Sequence, residues 1–467
     1  MTVLHRARPG LLAAATALAL SACAIGAPAP QAAPPTPSAW QTPLPHNGSL
    51  TDLAGWWRNQ GDPLLVHLIE SAQAVSPSVA AAASRIAQSR AERVAGGAAL
   101  LPTLDAAASA VRSNGQAPLP AATTSQAGLQ TAWEIDLFGA NRATRDAAQA
   151  RLESAHAGWH DARVAVAAEV ANQYYTLRAC QQLLDVARQD AASRGDSARL
   201  TDLSAQAGFQ SPANAALARA SAADGSNRAI EQRAACDRDI KALVALSAIE
   251  EADLRASLAG AALVAPAPIA IAALPAATLG QRPDVYSAER EVSAASFEVA
   301  GANAQRYPRL SLSGAVGRAN LRSGGVDTRF DTWSIGPLAL TLPLFDGGRR
   351  RADIVAARAR YDEAVVKYRA SVRQAVSEVE QALVDLDSSG ERAGFAQTAL
   401  DGYRNAFTAT EERYKNGLAS LLELEETRRT RLAAENTVVN LQRERSAAWV
   451  ALYRAAGGGW RADAAPQ

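Results

Sequence analysis

Trp133-Glu-Ile-Asp-Leu-Phe-Gly-Ala-Asn-Arg142 runs directly into a long alanine- and arginine-rich stretch, and Leu342-Pro-Leu-Phe-Asp-Gly-Gly-Arg-Arg-Arg351 does the same further on. Position 342 follows position 133 by 209 residues. Each stretch closes on a glycine, Gly208 in Gln206-Ala-Gly-Phe-Gln-Ser-Pro212 and Gly417 in Lys415-Asn-Gly-Leu-Ala-Ser420, and these two are again 209 apart. A fixed period means that one unit cannot bury its apolar face alone and packs against copies of itself. With only two copies in the chain, further copies are expected from other subunits.

Upstream of each motif the pattern is that of strands. Ala127, Leu129, Thr131, Trp133, Ile135 and Leu137 face one way, with Gln126, Gly128, Gln130, Glu134 and Asp136 on the other; such alternation reads as a strand with two unlike faces. Leu310-Ser-Leu-Ser-Gly-Ala-Val316 repeats the pattern. Apolar-out, polar-in strands suit a membrane barrel, and a half-buried soluble sheet reads alike. Four strands are predicted, about 102–113, 124–137, 308–319 and 331–344. Four cannot close a barrel, and open edges are not tolerated in lipid, so several chains must share one.

Downstream of each motif the reading is helical. No proline occurs between Gly139 and Ala207, which at 1.5 Å per residue predicts a rod of roughly 100 Å. A long helix is expected over about 140–207 with a return over 212–246, then again over about 348–415 and 420–456. Helix is also predicted from Asp62-Pro63 to about Leu100 and over 284–306. Tyr361, Val365, Tyr368, Val372, Val376, Val379, Leu383 and Leu386 are spaced by three and four, a seam of coiled-coil type.

Composition bounds the function. The chain has 467 residues, 48% hydrophobic and 20% charged, enough for two or three domains' worth of core. Alanine supplies much of the apolar share and aromatics only 5%, which suits long, closely packed helices. A net charge of +1 gives no footprint for nucleic acid. The N-terminus has basic Arg6 and Arg8 and an apolar run from Leu11 to Leu20, too short to span a bilayer and laid out as a secretory leader. Pro266, Pro268 and Pro275 break the one other apolar stretch, Ala259 to Ala277, into an expected extended connector.

Export implies an oxidising setting for Cys180 and Cys236. Each lies 28 residues from Gly208, so a turn there sets them level on adjacent helices. A disulfide and two buried free thiols both fit that placement. His156 and His160 are four apart on a helix, with no third ligand near in sequence, and read as exposed helix residues. Gly457-Gly-Gly459 lacks the lysine and helix of a phosphate loop, and Arg194-Gly-Asp196 sits inside a long helix without an assigned role. No active site, metal site or cofactor is expected.

Several motifs together resemble a known family. Leu20-Ser-Ala-Cys23 resembles a bacterial lipobox, with Ala24 in the sorting pattern of outer-membrane lipoproteins. Gln281-Arg-Pro-Asp-Val285, Tyr307-Pro-Arg-Leu-Ser-Leu312, Trp133-Glu-Ile-Asp-Leu-Phe-Gly139, Pro343-Leu-Phe-Asp-Gly-Gly348 and Gly457-Gly-Gly-Trp460 resemble the TolC-like outer membrane factors, the NodT group of efflux lipoproteins, from about Trp56-Trp57 to Trp460. The resemblance implies a mainly α, internally duplicated protomer with a membrane β-part. Three such chains would form a twelve-stranded outer-membrane barrel continued by a periplasmic helical barrel and an equatorial domain.

It also implies Cys23 as the acylated residue after a 1–22 signal peptide, with 23–45 as a flexible tether. Residues 46–247 and 284–456 would be the two repeats, 248–283 a connector and 457–467 a tail. The turns Gly208-Phe209-Gln210-Ser211 and Gly417-Leu418-Ala419-Ser420 correspond to the family's contacts with a periplasmic adaptor. Leu422 and Glu426 match its periplasmic gate. The implied function is the passive exit channel of a tripartite pump, with a resistance-nodulation-division transporter in the inner membrane. The alternatives are a type I secretion outlet and a lipid-anchored scaffold without a pore.

Overall fold

The computed structural model describes residues 36–42, 44, 55–114, 120–260, 264–269 and 275–461. Cys23, the expected leader and most of the expected tether lie outside the described residues. Helix α1 (Trp56–Asn59) is followed by α2 (Pro63–Val75), α3 (Pro77–Ala98), β1 (Thr103–Ser113) and β2 (Ala122–Ile135). Then come α4 (Ala140–Gln206), α5 (Pro212–Ser247), α6 (Glu251–Gly260), α7 (Pro275–Leu279) and α8 (Pro283–Ala304). The chain continues through β3 (Arg309–Ser323), β4 (Val326–Thr341), α9 (Arg349–Lys415) and α10 (Leu421–Ala455). The sequence period is kept in three dimensions: Arg349 follows Ala140, Lys415 follows Gln206 and Leu421 follows Pro212 by the same 209 residues.

The duplicated motif is a helix start. Asp136 accepts hydrogen bonds from the backbone N–H groups of Asn141 (3.2 Å) and Arg142 (2.9 Å) at the head of α4. Asp346 accepts from Gly348 N (3.0 Å) and Arg350 N (3.2 Å) at the head of α9. A carboxylate there satisfies the first orphan donors and opposes the positive end of the helix dipole.

Three expectations are corrected. The helix predicted from Asp62 to Leu100 is two helices, because Pro77 has no N–H and holds Ser76 extended, with ψ 124°. The expected extended connector, Ala259 to Ala277, is helical at both ends, in the last residues of α6 and the first of α7, where Pro275 opens the helix; its described centre, 264–269, is neither helix nor strand. Strand β4 begins at Val326, earlier than 331, and is bulged where Leu312 and Gly314 of β3 pair with Leu338 and Ile335. The extra residue falls at Gly336-Pro337, so odd-numbered Trp333 and Ile335 share a face with even-numbered Leu338 and Leu340. Simple alternation read from sequence cannot show this.

The chain divides into two compact units, and each draws on both sequence repeats. Among the described residues the first comprises Ser84–His156 and Ser287–Ala370. It holds one antiparallel sheet in the order β1-β2-β3-β4. The β2–β3 ladder, from Ala122 opposite Ser323 to Ile135 opposite Leu310, welds the two repeats together. In the same unit Val292, Ala295 and Val299 of α8 pack on Ala357, Tyr361 and Val365 of α9. Ala147 and Ala150 of α4 close on Ala294.

The second unit comprises the described parts of Pro34–Ala83, Ala157–Tyr286 and Ser371–Gln467. Its core joins Leu65 and Leu68 of α2, Val170, Tyr174 and Leu177 of α4, Leu243 of α5, Leu383 of α9 and Leu452 of α10. Of the predicted α9 seam, Val372, Val379, Leu383 and Leu386 are buried here, while Val376 is only partly covered. The Asp62 carboxylate caps α2 through Leu65 N (3.1 Å) and accepts the Tyr174 hydroxyl (2.8 Å). Burial, with that carboxylate beside it, raises the Tyr174 pKa, so its hydroxyl stays protonated.

The triple glycine at the end of α10 is a packing device. Gly457 has φ 86°, and a Cβ placed on it would lie 2.0 Å from the Gln281 carbonyl oxygen. Gly457→Ala therefore combines left-handed strain with a backbone clash, for an expected loss of roughly 2–5 kcal/mol. A denaturant midpoint equal to that of the parent protein would refute this.

Candidate functional site

Two helical turns carry the candidate site, and they are built alike. Gly208 (φ 79°) and Gly417 (φ 71°) end α4 and α9 in the left-handed conformation. Phe209 N donates to Ser204 O (2.8 Å) and Gly208 N to Ala205 O (3.1 Å); Leu418 N donates to Arg413 O (2.7 Å) and Gly417 N to Tyr414 O (3.0 Å). Both are paired 6→1 and 5→2 closures, which want glycine at the left-handed position. The next helix then starts at once. The Ser211 hydroxyl accepts Asn214 N, and that of Ser420 accepts Glu423 N, each at 3.1 Å.

The residue after each glycine is apolar and uncovered. Phe209 is 84% exposed and Leu418 70% exposed. In such closures this side chain commonly folds back on the helix it ends. Here neither does, so each turn presents a large apolar side chain outward. Gln210 and Ala419 complete the two turns, with the Gln210 Oε1 accepting from Asn214 Nδ2 at 2.9 Å.

Just behind the turns, the two hairpins pack on each other. Ala198, Ala218, Phe407, Leu421 and Leu424 form a small apolar cluster. The hydroxyls of Thr201 and Tyr414 lie 2.6 Å apart. Leu422 projects away from this cluster and is 74% exposed. One turn on, Glu426 is also exposed and accepts two hydrogen bonds from Arg429, at 2.6 and 3.2 Å. That guanidinium holds the Glu426 carboxyl below the usual carboxylate range. Glu426 therefore keeps its charge to lower pH, with a cation attached. Arg429 thus offsets part of the negative charge that Glu426 presents on this face.

Deeper still is a buried ionic cluster that the sequence reading left without a role. Arg428 of α10 is fully buried. It donates to Ser197 Oγ (2.9 Å), Ser193 Oγ (3.1 Å) and Glu425, with Asp190 at 3.9 Å. Arg194 of α4 donates to Asp190 (2.8 Å), Glu425 and Ser221 of α5. Two guanidiniums and two carboxylates thus tie α4, α5 and α10 together. The cations of Arg428 and Arg431 also lie over the Phe407 ring of α9, at 5.6 and 4.1 Å. In the sequence, Asp190/Arg194 and Glu425/Arg428 show only the spacing of ordinary solvated helix pairs. Nothing in either helix alone marks them as buried.

Further along the first hairpin Cys180 and Cys236 form a disulfide, with Cα atoms 5.5 Å apart. His156 and His160 are half-buried, and the His160 ring meets Trp159 edge-on.

The sheet supplies the other functional surface. The paired register puts Leu310 with Leu340, Leu312 with Leu338, and Val316 with Trp333 on one face. Leu129 and Trp133 of β2 join them there. Ile335 is 84% exposed, Trp333 76% and Leu104 70%. Strands β1 and β4 are both edges, each with an unpaired side.

A duplicated, mainly helical protomer with long hairpins and a small antiparallel sheet is the architecture of outer-membrane channel proteins. The solved outer-membrane channel OprN superimposes with a TM-score of 0.83 at 28% identity, over 93% of this chain and all of that one. The chain belongs to the outer membrane efflux protein family, whose model matches residues 68–248 and 274–458. It is 30% identical to the pyoverdine export outer membrane protein OpmQ of Pseudomonas aeruginosa, over 91% of this chain and 92% of the relative. It is also 30% identical to the toluene efflux pump outer membrane protein TtgI of Pseudomonas putida, over 85% and 86%. The protein is thus an outer-membrane efflux channel component that extends into the periplasm.

Proposed function

We propose that three copies of this chain form the exit duct of a tripartite efflux pump, passing drugs or other small toxic compounds outward without chemistry of their own. The observation that carries this is the sheet: a strongly apolar exposed face together with two open edges. In hydrocarbon, each unpaired N–H or C=O costs several kcal/mol. Edge β1 of one copy pairing with β4 of the next removes both edges, and three copies give twelve strands, an even number within the range of bacterial barrels. The helical hairpins would then ring a periplasmic tunnel. OpmQ exports pyoverdine and TtgI serves toluene efflux, by their names; small organic cargo for this chain follows by kinship.

Gly208-Phe209-Gln210-Ser211 and Gly417-Leu418-Ala419-Ser420 are the proposed docking turns for a periplasmic adaptor, since uncovered Phe209 and Leu418 offer apolar anchors. The adaptor would link the channel to a resistance-nodulation-division transporter. Leu422 and Glu426 form the proposed gate, and acylated Cys23 the lipid anchor. Opening needs adaptor contacts that favour the open hairpins over the closed ones.

The test is reconstitution. Purified protein should run as a trimer in detergent and give discrete conductance steps in planar bilayers. A stable monomer that leaves liposomes sealed sinks the reading.

A further inference from the structure

The apolar face of the sheet does not run the full length of the strands. Beyond the Val316–Trp333 row it changes to charge. Arg318 lies opposite Asp331, Asn320 opposite Arg329 and Arg322 opposite Asp327. Arg322 also pairs with Thr123, and Thr123 with Arg112. Because directly opposed residues share a face, Arg112, Arg318, Arg322 and Arg329 stand on the same side as Leu129, Val316 and Trp333.

The charge is confined to this face. In the same rows the other side carries Ser109, Val111, Ala319, Leu321, Thr328 and Phe330. Arginines merely leaving the membrane for water would have no reason to choose the lipid-side face. Arg318 and Arg322 are each partly neutralised, by Asp331 (2.8 Å) and Asp327 (2.9 Å). Arg112 forms no ion pair among the described residues; Arg329 has no carboxylate within ion-pair distance, but it acts on Asp327, which Arg322 already holds. Four arginines against two aspartates leave two positive charges in excess per chain. Arg112 lies two strands (about 10 Å) from Arg322, Arg329 one strand (about 5 Å) from β3, and the two are three strands (about 15 Å) apart within one chain.

We propose that this face binds the phosphate-bearing headgroups of outer-leaflet lipid, held by Arg112 and Arg329 and flanked by Arg318 and Arg322. The proposal rests on the pore reading, which sets the apolar band in the bilayer and the β1–β2 and β3–β4 turns on the outer side. A lipid whose chains lie on the Leu129–Val316–Trp333 rows then has its headgroup level with the arginines. Guanidinium is suited to phosphate because its fixed fork of N–H donors matches two oxygens at once. Trp333, at the border of the two zones, has the usual place of an aromatic at a membrane interface.

The probe is diphosphorylated lipid A added to the intact detergent-solubilised protein and read by native mass spectrometry. Arg112→Gln/Arg329→Gln should weaken retention at least tenfold, and adding Arg318→Gln/Arg322→Gln should abolish it. Dephosphorylated lipid A should bind the parent protein no better than it binds the double variant. The control Arg85→Gln/Arg93→Gln, on helix α3, should leave binding unchanged. Equal retention by parent and double variant, or equal loss in the control, overturns the proposal. Displacement of the lipid by millimolar inorganic phosphate alone would also overturn it, because the site would then be one for free anions. Conductance of the double variant separates the two readings: preserved steps with unaltered lipid binding sink only the lipid site, whereas absence of steps in the parent sinks the pore.

Discussion

Arg428→Met is expected to loosen the turn end of the helical hairpins, at a cost of roughly 3–5 kcal/mol, while leaving the sheet intact. The size follows from what remains. Methionine nearly fills the volume, but buried Asp190 and half-buried Glu425 keep Arg194 as their main cation, and Ser193 and Ser197 lose a donor. Removing one partner of a buried ionic cluster strands the others in low dielectric, which costs more than the cluster itself contributes. Amide hydrogen exchange should rise by two or more orders of magnitude around Ser193–Ser197 and Glu425–Arg428, with β2 and β3 unchanged. In bilayers the parent and variant should differ in closed-state leak, with the variant leakier. Arg428→Lys keeps the charge but not the fork, and should fall between them. Unaltered exchange in Arg428→Met would show that the cluster does not hold the hairpins together.

Removing the disulfide is the second large change. Cys180 and Cys236 are 56 residues apart in sequence, and their bond closes the loop that contains the Gly208 turn. On the chain-entropy account a loop of that length is worth about 4 kcal/mol. Both residues are buried against the main core of their unit, so Cys180→Ala/Cys236→Ala removes little volume and the loss is chiefly that of the cross-link. The double variant should unfold at lower denaturant than the oxidised parent, and reductant should bring the parent down to meet it. Coincident midpoints with and without reductant would contradict this. Conductance should persist in the variant, because the bond lies well away from Leu422 and Glu426 in sequence and touches neither.

Much of the fold was legible because it is periodic. A 209-residue repeat, alternation in Ala127–Ile135 and proline-free stretches of helical composition give the element order almost unaided. The glycines that close the two long stretches, Gly208 and Gly417, do end their helices in the left-handed conformation. The features that sequence does not show are set by neighbours distant along the chain. The Arg429–Glu426 pair is local, three positions apart on one helix, and so is visible in the sequence. Trp333 and Leu338 on one face was not, since a bulge shows only against its partner strand.

Duplication, strand and helix content, the turns and the incompleteness of a four-stranded sheet are all written in the order of the residues, because they depend on period, backbone preference and counting. Folding in three dimensions is what buries Arg428 and Arg194, brings Cys180 to Cys236, and gathers four arginines on the face that also carries the apolar band. Those facts depend on which helices and strands become neighbours. Charged helix positions look the same in sequence whether water or another helix covers them, and the covering is settled by packing across roughly 230 residues of intervening chain.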